Sequence, residues 1–490
     1  MLNQTDNPAI GNFLNYGLLH VPRDLNQFVS NLPLNGWDSY LTEAYEWNAD
    51  ATQLTIKLRD GLKWSDGAPF TSEDVMFRWY DMLMDKEFIP TPPASLFING
   101  EAIMLEAPDA LTLVFKFPAP FANFPFVWLR ESHFTLYPKH YLMQWHPRYT
   151  KTATYQDLQE KSSIAALQPG IPSLTPWVIK TSDTTGILME RNPYFGVVDT
   201  EGNQLPYADY YHAPFVGTQQ NGVLKAIAGE VDVVERNIQL FDQLPTLKEN
   251  EARGDYKLLF WRGTAFTAGT LINFNYNLKD PENPELFDLL RNKDFRVALS
   301  VALDRADIND TLYYGLGRPT SYGLSSKSPY WDEEMSTITQ TNAEYDLARA
   351  ESLLDGLGLT KNADGIRQFP SGKPVSIILD VASEITMHLK VAEMVVRSWQ
   401  ALGINVTLNA SSRSLVFERI GNRSFHAFIW GIDANEIPLV RYDFEVMSPM
   451  YSEASIYTDG VVPPDGQQAL WDLRSQIYAE VDPDKEPRSA

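Results

Sequence analysis

Twelve tryptophans and twenty-three tyrosines are the largest supply of ligand-facing chemistry in this chain. Sugar rings present apolar C–H faces that stack on aromatic planes, and Trp37, Trp177, Trp261, Trp331 and Trp430 are the candidate platforms. A ligand pocket uses few of the apolar groups a protein owns, so each of the five also carries a core reading. A carboxylate stands close to one of them. Residues 428–438, FIWGIDANEIP, place Asp433 just beyond Trp430, where the plain reading has Asp433 opening a turn and Trp430 filling core. His133, His140 and His146, at spacings of seven and six, do not share a helical face, and no Cys or HExxH accompanies them, so no metal site is read there. With 63 Asp and Glu, some carboxylate pair must lie close in any fold, and no segment singles out a glycosidase dyad. GxSxG, Walker A and GxGxxG are all missing from the sequence, which favours binding over catalysis and calls for no cofactor.

Composition narrows the partners. A formal charge of −23 argues against nucleic acid, which is bound by clustered Lys and Arg, and no such cluster is present. The acidic balance is read as solubility. Without any cysteine there are no disulfides, thiolate nucleophiles or Cys-ligated zinc, and the compartment stays open. No run of eighteen apolar residues exists to span a membrane, and the first thirty residues carry neither a basic start nor an apolar signal core. A length of 490 residues sets the expectation at two or three domains.

The elements that must position these residues are legible in stretches. Residues 51–59 alternate polar and apolar through Leu54, Ile56 and Leu58, which predicts a half-buried strand, and Asp66-Gly67 supplies turn chemistry. Thr71 then precedes a helix, its hydroxyl able to accept from the N–H three residues on and Asp74 adding negative charge to the first turn. Val75, Met76, Trp79, Met82 and Leu83 follow at helical spacing. Residues 106–120 read as a Pro108-Asp109 turn and an alternating strand, and residues 201–209, EGNQLPYAD, as a loop. Residues 224–234, LKAIAGEVDVV, predict a short helix stopped at Gly229 and then a strand. In residues 294–319 one helix is expected to end near Asp304, with Gly315 and Gly317 closing the next. Strand SIILDVAS, a helix over about 388–402, Gly403 as its stop and strand INVTL complete an α/β alternation.

Residues 58–80, LRDGLKWSDGAPFTSEDVMFRWY, resemble the signature of family 5 extracellular solute-binding proteins, the dipeptide, oligopeptide and oligosaccharide receptors of ABC importers. YLTEAYEW (40–47), MERNPYF (189–195) and DFRVALSVALDRADINDTLYYGLGRP (294–319) resemble further elements of that family, and PGIPSLTPWVIK (169–180) stands where it has a GTGPY-like turn. The EGNQLPYAD loop resembles one in oligosaccharide-binding branches. The resemblance implies a periplasmic-binding-protein-like α/β fold, two α/β lobes around a ligand cleft plus a smaller inserted domain. Lobe I is expected from residues 1–35 and 166–270 without its C-terminal return, the inserted domain from 36–165 and lobe II from 271–480. Both chain ends look short of the family's.

FIWGIDANEIP resembles the family's WxADYNEP segment, which implies Trp430 as an aromatic flanking the ligand and Asp433 as an anchor for a peptide's amino terminus. Asn435 of the same segment joins them as a ligand-binding candidate. Ala434 replaces the family's Tyr and Ile437 is extra, and the aromatic supply keeps oligosaccharides beside peptides. A buried carboxylate facing an ammonium is worth having only when both are desolvated and hydrogen-bonded, as lobe closure would arrange. The implied function is that of a monomeric periplasmic or extracellular receptor, lipid-anchored in some members, that delivers its solute to ABC permease subunits and performs no covalent chemistry. A carbohydrate-active hydrolase and a non-transport interaction protein are the alternatives.

Overall fold

The computed structural model describes residues 41–432 except 91, 93–95, 99, 123, 125–135, 163–168, 235–242, 260–267, 277, 279–282 and 322–330. The described residues up to Gly222 make one compact unit; those from 243 onward, with Val223–Asp232, make the other.

The first unit opens with an antiparallel sheet. Strands β1 (Thr42–Trp47), β2 (Gln53–Leu58), β3 (Met104–Asp109) and β4 (Thr112–Lys116) stand in the order β1-β2-β4-β3. Leu54, Ile56 and Leu58 point to one face, where they are fully buried with Leu113 and Phe115, so the alternation read from residues 51–59 is the core face of β2. Gly67, at φ +90°, makes the turn that Asp66-Gly67 predicts, a conformation that costs glycine little. Thr71 caps α1 (Ser72–Met76). Its side chain accepts from the Asp74 backbone N–H as the sequence suggests and also from the Glu73 N–H at 3.3 Å, and its own N–H donates to Asp74 Oδ2 at 3.0 Å, which completes the capping box. Asp74 also accepts from the Lys139 N–H at 2.9 Å, and burial pushes its carboxyl above the usual range against the pull of these donors.

Beyond Met76 the helix widens into a π-helix, Phe77–Leu83. This shifts the side chains away from the 3.6-residue spacing, and Phe77, Trp79, Asp81, Met82 and Leu83 are all buried. Trp79 meets Phe115 edge-on at 5.4 Å, joining the helix to the sheet. A second antiparallel sheet, β5 (Trp177–Ser182), β6 (Gly186–Arg191) and β7 (Tyr210–Pro214), packs Trp177, Ile187 and Met189 on one face.

In the second unit the sheet is mixed. Strands β8 (Ala268–Phe274), β9 (Ser376–Ala382), β10 (Asn405–Ser411) and β11 (Ala427–Ile432) stand in the order β8-β11-β9-β10. β9 runs parallel to both neighbours, with Leu379 opposite Ala427 and Leu408, whereas β8 is antiparallel to β11. Helix α2 (Lys293–Val301) ends before Asp304, which instead caps α3 (Arg305–Tyr313) by accepting from the Asp307 N–H at 2.9 Å. Tyr314 and Gly315 close α3 in left-handed conformations. α4 (Leu347–Gly356) packs on α2 through the main core. Residues 230–234, expected as a strand, form none: the helix Gln219–Ile227 and Gly229 are as read, but no sheet edge receives the chain there among the described residues.

β9 leads to β10 through α5 (Thr386–Ala401), and β10 leads to β11 through α6 (Arg413–Gly421). Since β11 lies on the far side of β9, the chain crosses back over β9, and the two helices cover opposite faces of the sheet. Val391, Ala392, Val395 and Trp399 of α5 join the main core with Leu379, Val381 and Ile429. Val416 and Ile420 of α6 join a smaller cluster with Phe425 and Phe428.

Candidate functional site

Of the seven side chains singled out in the sequence, Trp177, Trp331 and Trp430 fall among the described residues; Trp37, Trp261, Asp433 and Asn435 lie outside them. Trp177 is 7% exposed and meets Tyr211 at 5.8 Å inside the small sheet of the first unit. Its surroundings are those of a core residue. Trp331, in the second unit, is half-buried under the Arg318 guanidinium, 4.3 Å from the ring centre. Arg318 is held in turn by Ser336 Oγ at 3.1 Å. Among the described residues no ring contact joins Trp331 to Trp430.

Trp430 has the richest surroundings. It sits on β11 two residues from the strand's end, half-buried, and faces the α6 side because Ile429 takes the core side. Phe417 of α6 meets it nearly perpendicular at 4.8 Å, and His388, from the first turn of α5, meets it at 5.9 Å. The Arg413 guanidinium lies over the Trp430 ring at 5.1 Å and over Phe417 at 5.6 Å. All four side chains gather at the carboxyl edge of the parallel strands. There α5 leaves β9 for one face and α6 leaves the adjacent β10 for the other, a topological switch point of the kind at which open α/β sheets bind ligands.

Deeper on the same face is a buried ion pair. Asp380, fully buried on β9, accepts from Asn409 Nδ2 at 2.5 Å, and its Oδ1 lies 3.1 Å from Arg419 Nε. Its Oδ2 has no hydrogen-bond partner among the described residues. These contacts link α6, through Arg419, to β9 and β10. That placement holds Phe417 and Arg413 against Trp430.

Sequence patterns single out Trp430, and no such pattern marks its neighbours Arg413, Phe417 and His388. One signal for Arg413 was available. It is the first residue of α6 after the N-cap Ser412, a place where the helix dipole disfavours a cation. The Glu384 carboxylate, accepting the Arg413 N–H through both oxygens at 3.0 Å, offsets that cost, and only the fold brings Glu384 there. Among the described residues no group of three or more His, Cys, Asp or Glu could hold a metal ion, and no helix is long and apolar enough to cross a membrane.

Over residues 38–444 the chain matches the model of bacterial extracellular solute-binding proteins, family 5. It is 32% identical over 380 residues to the periplasmic alpha-galactoside-binding protein of Rhizobium meliloti, a match that covers 76% of this chain and 54% of that protein. The chain thus spans about half the length of that relative. It is 24% identical over 478 residues to the periplasmic oligopeptide-binding protein OppA of Salmonella typhimurium, covering 91% of this chain and 77% of that one. Among solved structures, an oligopeptide-binding protein OppA superposes with a TM-score of 0.62 at 30% identity, covering 98% of this chain and 85% of that one. The periplasmic binding protein MelB of Agrobacterium fabrum in complex with stachyose superposes with a TM-score of 0.73 at 23% identity, covering 96% and 71%, a likeness of fold.

Proposed function

The chain belongs to the bacterial extracellular solute-binding proteins of family 5, and from that premise we propose that it is the receptor of an ABC importer whose solute is an oligosaccharide of the α-galactoside class. The observation that carries the sugar reading is the 32% identity, over most of this chain, to the alpha-galactoside-binding protein. It is supported by a half-exposed Trp430 ring at the carboxyl edge of the parallel strands, a surface on which the C–H face of a sugar can lie. The receptor performs no covalent chemistry. Its work is to favour a closed, loaded form that membrane permease subunits accept, and driving such an equilibrium from 1:99 to 99:1 takes a differential of about 5.5 kcal/mol. We place it as a monomer outside the cytoplasmic membrane, free or lipid-anchored.

The proposal keeps lobe I in residues 1–35 and 166–270, an inserted domain in 36–165 and lobe II in 271–480. Trp37, Trp261, Trp331, Asp433 and Asn435 remain proposed contacts beside Trp430, with Trp177 the weakest because it is enclosed by its own sheet. A peptide ligand is the second reading, favoured by the 30% identity to the oligopeptide-binding protein of known structure. In that reading Asp433 meets the peptide's ammonium group.

Thermal unfolding of the chain with stachyose, mannohexaose or a nonapeptide tests the choice. A ligand at a hundred times its dissociation constant stabilises the folded state by about 2.7 kcal/mol, which moves the midpoint visibly. A shift with stachyose supports the α-galactoside reading, a shift with mannohexaose alone keeps a sugar receptor but replaces that class, and a shift with the peptide alone replaces the sugar reading. A cooperative transition that no ligand moves would count against a receptor.

A further inference from the structure

Four Asp-Gly dipeptides lie among the described residues, at 60–61, 66–67, 355–356 and 364–365. In such a pair the glycine nitrogen can attack the aspartate side-chain carboxyl, because a five-membered ring closes and the glycine has no Cβ to obstruct it. What separates one pair from another is whether the fold holds the two groups together, since a reaction between neighbours depends on approach and orientation.

At three of the pairs the groups are otherwise engaged. Gly67 donates its N–H to Trp64 O at 2.8 Å, and Asp66 spends its carboxylate on the Ala68 N–H at 3.1 Å and on His140 Nε2 at 2.8 Å. Gly365 donates to Asn362 O at 3.0 Å. Gly356 ends α4, and Asp355 Oδ1 accepts from Arg367 Nη1 at 2.7 Å. An Asn-Gly pair, 221–222, lies in the helix Gln219–Ile227 with Asn221 Nδ2 turned to Val216 O at 2.9 Å. Asp60 and Gly61 differ from all of these. The Gly61 N–H donates to Asp60 Oδ1 at 2.8 Å, and no backbone oxygen takes it among the described residues. Both residues are exposed, Gly61 stands at φ +78°, and the place a Cβ would take there is open space. The ring can close without displacing a neighbour.

We infer that Asp60-Gly61 is a site of spontaneous covalent modification, at which aspartate isomerises to isoaspartate through a cyclic imide. This goes beyond the receptor reading and does not depend on it. The Gly61 nitrogen loses its proton and bonds to Asp60 Cγ while a C–O bond of the neutral carboxyl breaks, and one water leaves. Water then reopens the imide. Attack at Cγ restores aspartate, whereas attack at the Asp60 main-chain carbonyl leaves that carbon as a free carboxylate and routes the chain through Cβ and Cγ. No oxidant, reductant or cofactor enters, and the product has the mass of the starting chain. On either side the chain is anchored, by the Arg59 N–H on Leu41 O at 3.0 Å and by Leu62 O accepting from the Phe70 N–H at 2.9 Å. The extra backbone atom has to be absorbed between these anchors.

The experiment is incubation of the full chain in mildly acidic buffer, folded and unfolded in urea, followed by peptide mapping and enzymatic methylation of isoaspartyl carboxylates. In the folded chain isoaspartate is expected at 60 at about the unfolded rate or faster, while the pairs at 66, 355 and 364 react about tenfold or more slowly than in urea. Asp60→Glu, whose ring would be six-membered, should lose the signal at 60. Asp60→Asn, which reaches the same imide by losing ammonia, should give isoaspartate there faster than the wild type. Slowing at 60 equal to that at the other three pairs overturns the proposal, as does isoaspartate at 60 that forms only in urea.

Discussion

The two faces of the mixed sheet in the second unit are built from the same strands and do opposite work. On the α5 face, Leu379, Val381, Ala427 and Ile429 meet Val391, Val395 and Trp399 in a continuous apolar core. On the α6 face, the alternate residues of those strands include Asp380, Phe428 and Trp430, and the apolar cluster is small. The sheet's period of two makes this division possible, since neighbours along one strand serve different faces. One face is committed to stability. The other carries a charge pair and a half-exposed ring beside a small apolar cluster, and it is the face on which the proposed binding function can be tested.

The comparison can be broken first on the stable face. Trp399 is fully buried, stacks on Phe274 at 6.0 Å and donates its Nε1–H to Leu299 O at 3.0 Å. Trp399→Ala should cost about 3–5 kcal/mol, through the cavity and an unpaired carbonyl, in denaturant unfolding followed by circular dichroism. If the cost is under about 1 kcal/mol, this core is not the main support of the second unit.

On the other face, Asp380→Ala should cost about 3 kcal/mol, the low end for a broken buried pair, because Arg419 keeps partial access to water. Asp380→Leu should recover part of that loss if Arg419 can turn outward. Weaker stachyose binding in Asp380→Leu, at recovered stability, would tie the ion pair to the placement of α6.

Trp430→Ala sharpens the contrast further. A half-buried ring should cost only about 1–2 kcal/mol, well below a buried one, while stachyose affinity falls at least tenfold in calorimetric titration. If stability drops by as much as in Trp399→Ala and affinity is unchanged, Trp430 is a core residue and the two faces are alike. The smallest effect is expected from Phe417→Leu, which keeps an apolar side chain beside Trp430. It should change stability by less than about 1.5 kcal/mol. Sugar affinity should fall only a few-fold, through the looser hold on Trp430.

Local patterns determined much of this protein. The alternation of Leu54, Ile56 and Leu58, the Asp66-Gly67 turn, the Thr71 and Asp74 cap and the strand–helix–strand run ending in INVTL can each be read from near neighbours, because turns, caps and periodicity depend on residues a few positions apart. Sequence reading faltered where the outcome depended on distant partners. The π-helix after Met76 packs against Phe115 and its neighbours, and among the described residues no neighbouring strand pairs with 230–234. The candidate site was half legible. Trp430 is visible as an aromatic in a distinctive segment, but which face of the sheet it takes is set by strand order. Arg413 and Glu384 meet because β9 and β10 run in parallel and release their helices to opposite faces, a juxtaposition across 29 residues that no local pattern encodes. Residue types and short-range order fixed the pieces; tertiary structure alone decided which side chains face one another, since that depends on topology and burial over the whole sheet.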